Sequence, residues 1–318
     1  MTIPVIIDCD PGIDDVMALT LAFAHPTLDI KLITTEPGNQ TQAKTIYNAL
    51  TFTSYMKRDI EIARGLDNPM LRELEIADEV HGDNGLGDVY FPEPTIKLSS
   101  RTAINAMKET LLSSAEQVII IATGPLTNIG ALLFAHPEVK SKIKFISYMG
   151  GAAVGGNMTP TTEFNVYVDP HAAEIVFKSG VPIVMSGLDV THKAFVTLEE
   201  LNEIEEIGSD FAIKVVEMLR FYVKGVKQTA FHNPNFENCI RLHDLCAVSY
   251  VLTPELFEGD DCYVAIELEG KLTSGTTVVD YTHRTGLRHN VKVLHTVNRE
   301  KFVEQFLDAV KIMSRQIS

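Results

Sequence analysis

The chain has 318 residues, and its 45% apolar and 22% charged content excludes a disordered, collagen-like or disulfide-stapled protein. Twenty-seven basic against 42 acidic residues leave a net charge of −15. That balance argues against a nucleic-acid partner or an anionic membrane surface, but leaves room for an acidic site that holds a divalent cation.

Four cysteines, Cys9, Cys239, Cys246 and Cys262, form no CxxC pair and no zinc spacing. Scattered thiols of this kind fit a reducing cytosol. The opening MTIPVIIDCD has no basic n-region, long apolar stretch or cleavage site, so no signal peptide is expected. No apolar run approaches the ~18 residues of a membrane span. A cytoplasmic protein is the expectation.

Ile3 to Ile7 is a short apolar run that predicts a strand buried on both faces. Asp14 to Phe23 carries apolar residues at helical spacing. Asp29–Thr34 reads as the next strand and Gln40–Met56 as a helix. Val118–Ala122 predicts a strand, Leu126–Phe134 a helix, Ile143–Met149 a strand, Pro170–Lys178 a helix and Val181–Met185 a strand. This alternation predicts an α/β fold with an open, mostly parallel, Rossmann-like sheet flanked by helices. Beyond residue 195, Leu198–Lys227 reads as helical with a break at Gly208, and Asp244–Leu252 as a further helix. Tyr263–Leu268, Thr276–Tyr281 and Asn290–His295 alternate like strands of a small additional antiparallel element. Arg299–Met313 is a C-terminal helix. No repeat or linker interrupts the chain, so residues 1–318 are expected to form a single domain.

The densest chemical signal is Asp8-Cys9-Asp10-Pro11-Gly12-Ile13-Asp14-Asp15, with four carboxylates in eight residues. It falls where a buried strand gives way to a helix, the place where open α/β sheets bind ligands. Asp14 and Asp15 suit a helix N-terminus on dipole grounds alone. Asp8 and Asp10 do not have that explanation. Packed carboxylates repel and raise one another's pKa unless a cation neutralises them, and a hard, oxygen-seeking divalent ion is the natural partner. His243-Asp244 opens a second predicted helix, where Asp244 could equally be a simple cap. Asn157 and Glu163-Phe164-Asn165 lie on a Gly-rich loop and could bind hydroxyl groups. Gly150-Gly151 and Gly155-Gly156 form neither GxGxxG nor a P-loop, which argues against a grip on phosphates. His81 to Gly87 is rich in glycine and polar groups and reads as a mobile loop.

The run Asp8 to Asp15 resembles the signature of the inosine-uridine-preferring nucleoside hydrolases. Further matches follow in the same order: Gly38-Asn39-Gln40-Thr41, His81-Gly82, Thr123 to Asn128, Met149-Gly150-Gly151, Glu163-Phe164-Asn165, Asp169-Pro170, Gly187 to His192 and His243-Asp244. The resemblance implies one bound Ca²⁺ held by Asp10, Asp15 and Asp244 and by the backbone carbonyl of Thr123. It implies that Asp14, Asn157, Glu163 and Asn165 bind ribose hydroxyls, that Asn39 helps position water, and that Asp8 supports the metal site. It implies hydrolysis of a ribonucleoside to ribose and free base through an oxocarbenium-like transition state. Asp10 would deprotonate a water activated by calcium. His243 would be the acid for the leaving base, with His81 as alternative. Relatives form dimers or tetramers, so a homo-oligomer, expected to be a tetramer, is implied.

The sequence departs from the family at Glu36, where a small or apolar residue is usual, at Leu245, where Pro is common, and at Val226, where a second Tyr is often found. Tyr222 fits a place beside the base. The overall run of matches is most similar to the bacterial pyrimidine-preferring members, which points to uridine and cytidine. Two other classes compete. Asp8-Cys9-Asp10 also opens like a haloacid-dehalogenase-type Mg-dependent phosphatase, but Gly12 stands where that motif has Thr or Val. A non-enzymatic nucleoside- or calcium-binding protein could keep the fold without the activity.

Overall fold

The computed structural model describes residues 2–228 and 239–317; the side chains of residues 226–228, and with them the expectation at Val226, lie outside the described residues. Strand β1 (Ile3–Cys9) leads into helix α1 (Ile13–Ala24), followed by β2 (Leu28–Thr35), α2 (Gln42–Tyr55), β3 (Ile62–Arg64) and the single turn α3 (Asp78–His81). Then come α4 (Ala103–Ser113), β4 (Val118–Ala122), α5 (Thr127–Ala135), β5 (Ile143–Met149), α6 (Phe164–Val168), α7 (Pro170–Phe177) and β6 (Ile183–Ser186). The last third holds α8 (Leu188–Thr191), β7 (Phe195–Thr197), α9 (Leu198–Glu205), α10 (Asp210–Gln228), β8 (Cys239–Arg241), α11 (Leu245–Leu252), β9 (Phe257–Ile266), β10 (Thr277–Asp280), β11 (Val291–Val297) and α12 (Arg299–Ile317).

Nine strands form one sheet in the order β10-β9-β11-β6-β5-β4-β1-β2-β3. The chain lays β1, β2 and β3 toward one edge, then returns to lay β4, β5 and β6 on the other side of β1. The β1/β4 boundary is therefore a topological switch point, where a crevice opens beyond the strand ends. Asp8 of β1 is in register with Ala122 of β4, so Asp10 and Thr123 emerge side by side at that crevice. The strands are buried on both faces, as a parallel sheet requires. Val5, Ile7, Cys9, Ile119 and Ile121 pack into one apolar layer with α1, α10, α11 and α12. Ile6, Val118, Ile120 and Ala122 pack into the opposite layer with α4, α5 and α7.

Helix α1 is buried along all twelve residues, which matches its nearly unbroken apolar sequence. Its end coincides with His25-Pro26, where proline disfavours continuation. Gly208, at φ +71°, separates α9 from α10, as the break in the pattern predicted. The antiparallel strands expected near the C-terminus are present and join the main sheet. β11 runs parallel to β6, and β9 and β10 then add antiparallel to extend the main sheet. The detached antiparallel element is the short β7–β8 pair, whose three-residue strands were too short for periodicity to reveal.

Candidate active site

A cavity of about 340 Å³ opens at the switch point, a volume suited to a small organic ligand. Ten of the thirteen residues given a site role from the sequence line it: Asp14, Asn39, His81, Thr123, Asn157, Glu163, Asn165, Tyr222, His243 and Asp244. Asp8, Asp10 and Asp15 lie behind its wall, fully buried.

The loop between β1 and α1 brings the first carboxylates together. Gly12 is where close approach demands glycine: a Cβ there would stand 2.6 Å from His81 Nδ1 and 2.7 Å from Asn39 Nδ2. Asp15 Oδ2 accepts from Gly12 N at 3.0 Å, the helix-capping role expected of one acid in this run. It also accepts from Asn39 Nδ2 at 2.8 Å, while Thr123 Oγ1 donates to Asp15 Oδ1 at 2.7 Å. Asn39 N donates to Asp10 Oδ2 at 2.7 Å, and Asn39 Nδ2 to the Asp10 carbonyl at 3.2 Å. Both side-chain N–H groups of Asn39 are thus spent on holding acidic residues in place.

Asp14, Asp15 and Asp244 each offer an oxygen within 4.8 Å of the others. The trio brought together therefore contains Asp14, whereas the resemblance nominated Asp10 alongside Asp15 and Asp244. Asp244 sits at the N-cap of α11 but makes no capping hydrogen bond with its side chain, so the simple cap is not its role. Its carboxylate faces those of Asp14 and Asp15 instead. Burial first, then the charge of Asp15, pushes Asp14 up to about 8. Burial, Asp14, Asp15 and Asp10 hold Asp244 well above the carboxylate range, and burial with Asp15 does the same to Asp10.

The fit to a hard cation rests on the atoms present. Every donor is an oxygen, and the buried Asp10 Oδ1 and Asp14 Oδ1 have no hydrogen-bond partner. Unpartnered buried oxygens in a repelling cluster are costly without a positive charge between them. The Thr123 carbonyl is aimed by Asn165, whose Nδ2 donates to it at 2.8 Å and to the Met149 carbonyl at 3.1 Å. Asp15, Asp244 and this carbonyl, with Asp10 or Asp14, could hold such an ion.

Behind the wall lies a second group, Asp8, Asp10 and Glu36. Asp8 Oδ1 accepts from Thr34 Oγ1 and from Asn128 Nδ2, the latter at 3.0 Å, and burial raises the group to about 6. Glu36, the departure noted in the sequence, is fully buried. Burial, then Asp8 and Asp10, holds it well above the usual range.

Glu163 caps α6, accepting from Asn165 N at 2.9 Å, and takes Gly151 N at 2.8 Å; burial still raises it to about 7. Asn157 Oδ1 accepts from Phe164 N at 2.8 Å. The other side of the cavity is aromatic and nitrogenous. His81 Nδ1 accepts from Ile13 N at 3.1 Å, and burial lowers the ring to about 3. An Nδ1 that accepts from an amide leaves the ring proton on Nε2. His81 packs against Tyr222 with centroids 5.5 Å apart. The segment that follows, read as a mobile loop, is tied down by Gln40 Nε2 to the Gly82 carbonyl (3.1 Å) and Asn48 Nδ2 to the Asn84 carbonyl (2.9 Å). His243 Nδ1 lies 2.8 Å from Thr191 Oγ1, and its ring meets that of His192 edge-on. Burial, then His192 and Arg241, holds His243 well below the usual imidazole range.

His192 and Arg241 also line the cavity, and neither was singled out as a site residue from the sequence. Arg241 ends β8, and His243 lies two residues on in the turn before α11. The signal was present but short.

Fold and site together define an α/β protein with an acidic cavity of small-molecule size at its switch point. Comparison with known proteins narrows the class. The sequence profile of the inosine-uridine preferring nucleoside hydrolases matches residues 5–304. The chain is 46% identical over 312 residues to the pyrimidine-specific ribonucleoside hydrolase RihA of Escherichia coli K12, covering 98% of this chain and 99% of that protein. The solved purine-preferring ribonucleoside hydrolase from Gardnerella vaginalis superposes with a TM-score of 0.91 at 30% identity, over 98% of this chain and 99% of that one. A plant nucleoside hydrolase, PpNRh1, gives 0.90 at 30% identity, with the same coverage. The chain belongs to the inosine-uridine preferring nucleoside hydrolase family, enzymes of the N-glycosidase class. The dehalogenase-type alternative loses its footing, since the Asp8-Cys9-Asp10 run is part of this match.

Proposed function

We propose that the protein hydrolyses the N-glycosidic bond of pyrimidine ribonucleosides, uridine and cytidine, to ribose and free base. The observation that carries this is the cavity's two-sided chemistry, with Asp14, Asp244 and Glu163 facing Tyr222, His192 and His243. Breaking the bond builds positive charge on the ribose and negative charge on the base, and a site with opposed ends stabilises both as they develop. The pyrimidine preference is supported by 46% identity to a pyrimidine-specific relative, against 30% to a purine-preferring one.

The carboxylates and the Thr123 carbonyl suit Ca²⁺, which when bound would orient ribose hydroxyls and make a nearby water easier to deprotonate. The chain's own residues do the rest. Asp14 and Glu163 accept hydrogen bonds from the ribose, and Asn157, whose amide oxygen is spent on Phe164 N, offers its N–H₂ to a hydroxyl. Asn39 and Asn165 hold the carboxylates and the Thr123 carbonyl still, which converts hydroxyl binding into orientation. Asp10 takes the proton from water; its raised proton affinity and uncommitted Oδ1 suit a base. A second assignment of the base is Asp14, favoured by its position on the cavity wall. His81 and His243, held neutral in the resting site, present N–H donors to the leaving base.

The test is free-ribose release from uridine, cytidine, inosine and adenosine, with protein as purified and after chelation and calcium return. Uridine and cytidine are expected to be the better substrates, with activity lost on chelation and restored by calcium. Calcium binding without ribose release from any of the four would favour a non-enzymatic binder.

A further inference from the structure

Arg241 is the residue at this site for which the assigned chemistry has no use. It ends β8, half-buried, and its side chain lines the cavity together with Tyr222, His192 and His243. Its charge acts on all three of those groups. Among the described residues that line the cavity, it carries the one side chain that stays cationic at any working pH. A guanidinium has five N–H donors in a rigid fork, so it can serve a structural partner and a ligand together.

A permanent cation that lines this end of the cavity beside a phenol and two imidazoles can meet an anion that forms there, whatever else its fork already holds. Glycosidic cleavage produces such a group. When the C1′–N1 bond breaks, its electron pair goes to N1 of the pyrimidine and spreads onto the carbonyl oxygen at C2 and, in uracil, the one at C4. A fork of N–H donors matches a planar anion of that kind.

We propose that Arg241 stabilises the departing pyrimidine as an anion, so that the base leaves without first being protonated by a histidine. This rests on the pyrimidine-hydrolase assignment above. The step balances as follows. C1′–N1 breaks with its electron pair going to the base. The water oxygen bonds to C1′, and its proton goes to the carboxylate base. The pyrimidine anion, paired with Arg241, takes a proton from solvent on release, and the carboxylate returns its proton to solvent.

A leaving group that is already a stable anion does not need this help. The test therefore compares Arg241→Gln and Arg241→Lys with wild type on three substrates: uridine, 5-fluorouridine (whose base is a better leaving group) and p-nitrophenyl β-D-ribofuranoside. On uridine, kcat of Arg241→Gln is expected to fall by about 10²-fold, as when one preorganised electrostatic donor is lost. Turnover of the nitrophenyl riboside is expected to stay near wild type, which also reports an intact fold. In both variants the 5-fluorouridine-to-uridine rate ratio should rise above the wild-type ratio. Equal losses on uridine and the nitrophenyl riboside, or an unchanged rate ratio in both variants, would overturn the role of Arg241. A wild-type protein that leaves uridine intact would overturn the parent assignment and this inference with it; a wild type active on uridine isolates any failure to Arg241.

Discussion

The two ends of the cavity are built in different ways. At the acidic end, Asp10, Asp14 and Asp15 come from a single strand-to-helix turn, and Asn39, Thr123, Asn157, Glu163, Asn165 and Asp244 are brought to it from other elements. At the base end, Tyr222 comes from α10, His192 from the end of α8, Arg241 from β8 and His81 from α3. One turn supplies most of the acids, and Asn39, His81, Thr123 and Asn128 from distant elements brace it. The base end has no such local frame, and its chemistry changes with every substitution that shifts a helix. On the proposed function the acidic end would serve the ribose, which every nucleoside shares, and the other end the part that varies.

The sharpest way to break this comparison is to remove one acid at a time. Asp10→Asn is expected to lower kcat on every nucleoside by about 10³-fold with the fold retained, the scale of a lost general base. Steady-state kinetics on uridine and inosine, with circular dichroism, check it. If Asp14→Asn has the larger effect on kcat and Asp10→Asn only a modest one, the base is Asp14.

His243→Ala probes the opposite end. Its loss should be unequal between substrates: about 10²-fold on inosine, whose purine depends more on a hydrogen-bond donor, and smaller on uridine. Equal losses would make His243 a support for the whole cavity instead of one of its ends.

The acidic end should also show itself in stability. Burial gives Asp8, Glu163 and Asp14 folded-state pKa values of about 6, 7 and 8, above those of the unfolded chain. The folded protein then binds more protons than the unfolded one in this range, so metal-free stability is greatest near pH 4 to 5 and falls as pH rises toward 8. Calcium, which competes with those protons, should raise Tm by about 5 °C or more at pH 8 and by less at pH 5. Differential scanning fluorimetry of chelated protein at both pH values reads this. A calcium shift larger at pH 5 would contradict a carboxylate-held ion.

The smallest effect serves as a control outside both ends. Thr197 caps α9 in a reciprocal capping box with Glu200. Thr197→Ala should cost about 1 kcal/mol in urea unfolding and leave kcat/KM on uridine unchanged.

Much of this molecule is legible in the order of its residues. The strands of the parallel sheet announce themselves as β-rich apolar runs, because a strand buried on both faces has no polar side to disguise it. Val118–Ala122 and Ile143–Met149 are read to the residue. The acids of the first turn are equally visible, because four charges at the end of an apolar strand have few structural uses. Short elements such as β3, β7 and β8 carry too few residues to set a period, and their pairing is decided by partners far along the chain.

The sequence by itself determined the α/β alternation, the acidic turn and the ordered motifs that mark the family, since each depends on neighbours within a few residues. Only the tertiary structure shows that Asp14, Asp15 and Asp244 bring oxygens within 4.8 Å of one another. It also decided that the last three strands extend the main sheet and that Arg241 and His192 face the ligand cavity. These are distances between groups tens to hundreds of residues apart. They are set by how two apolar layers close over the sheet, which local periodicity does not encode.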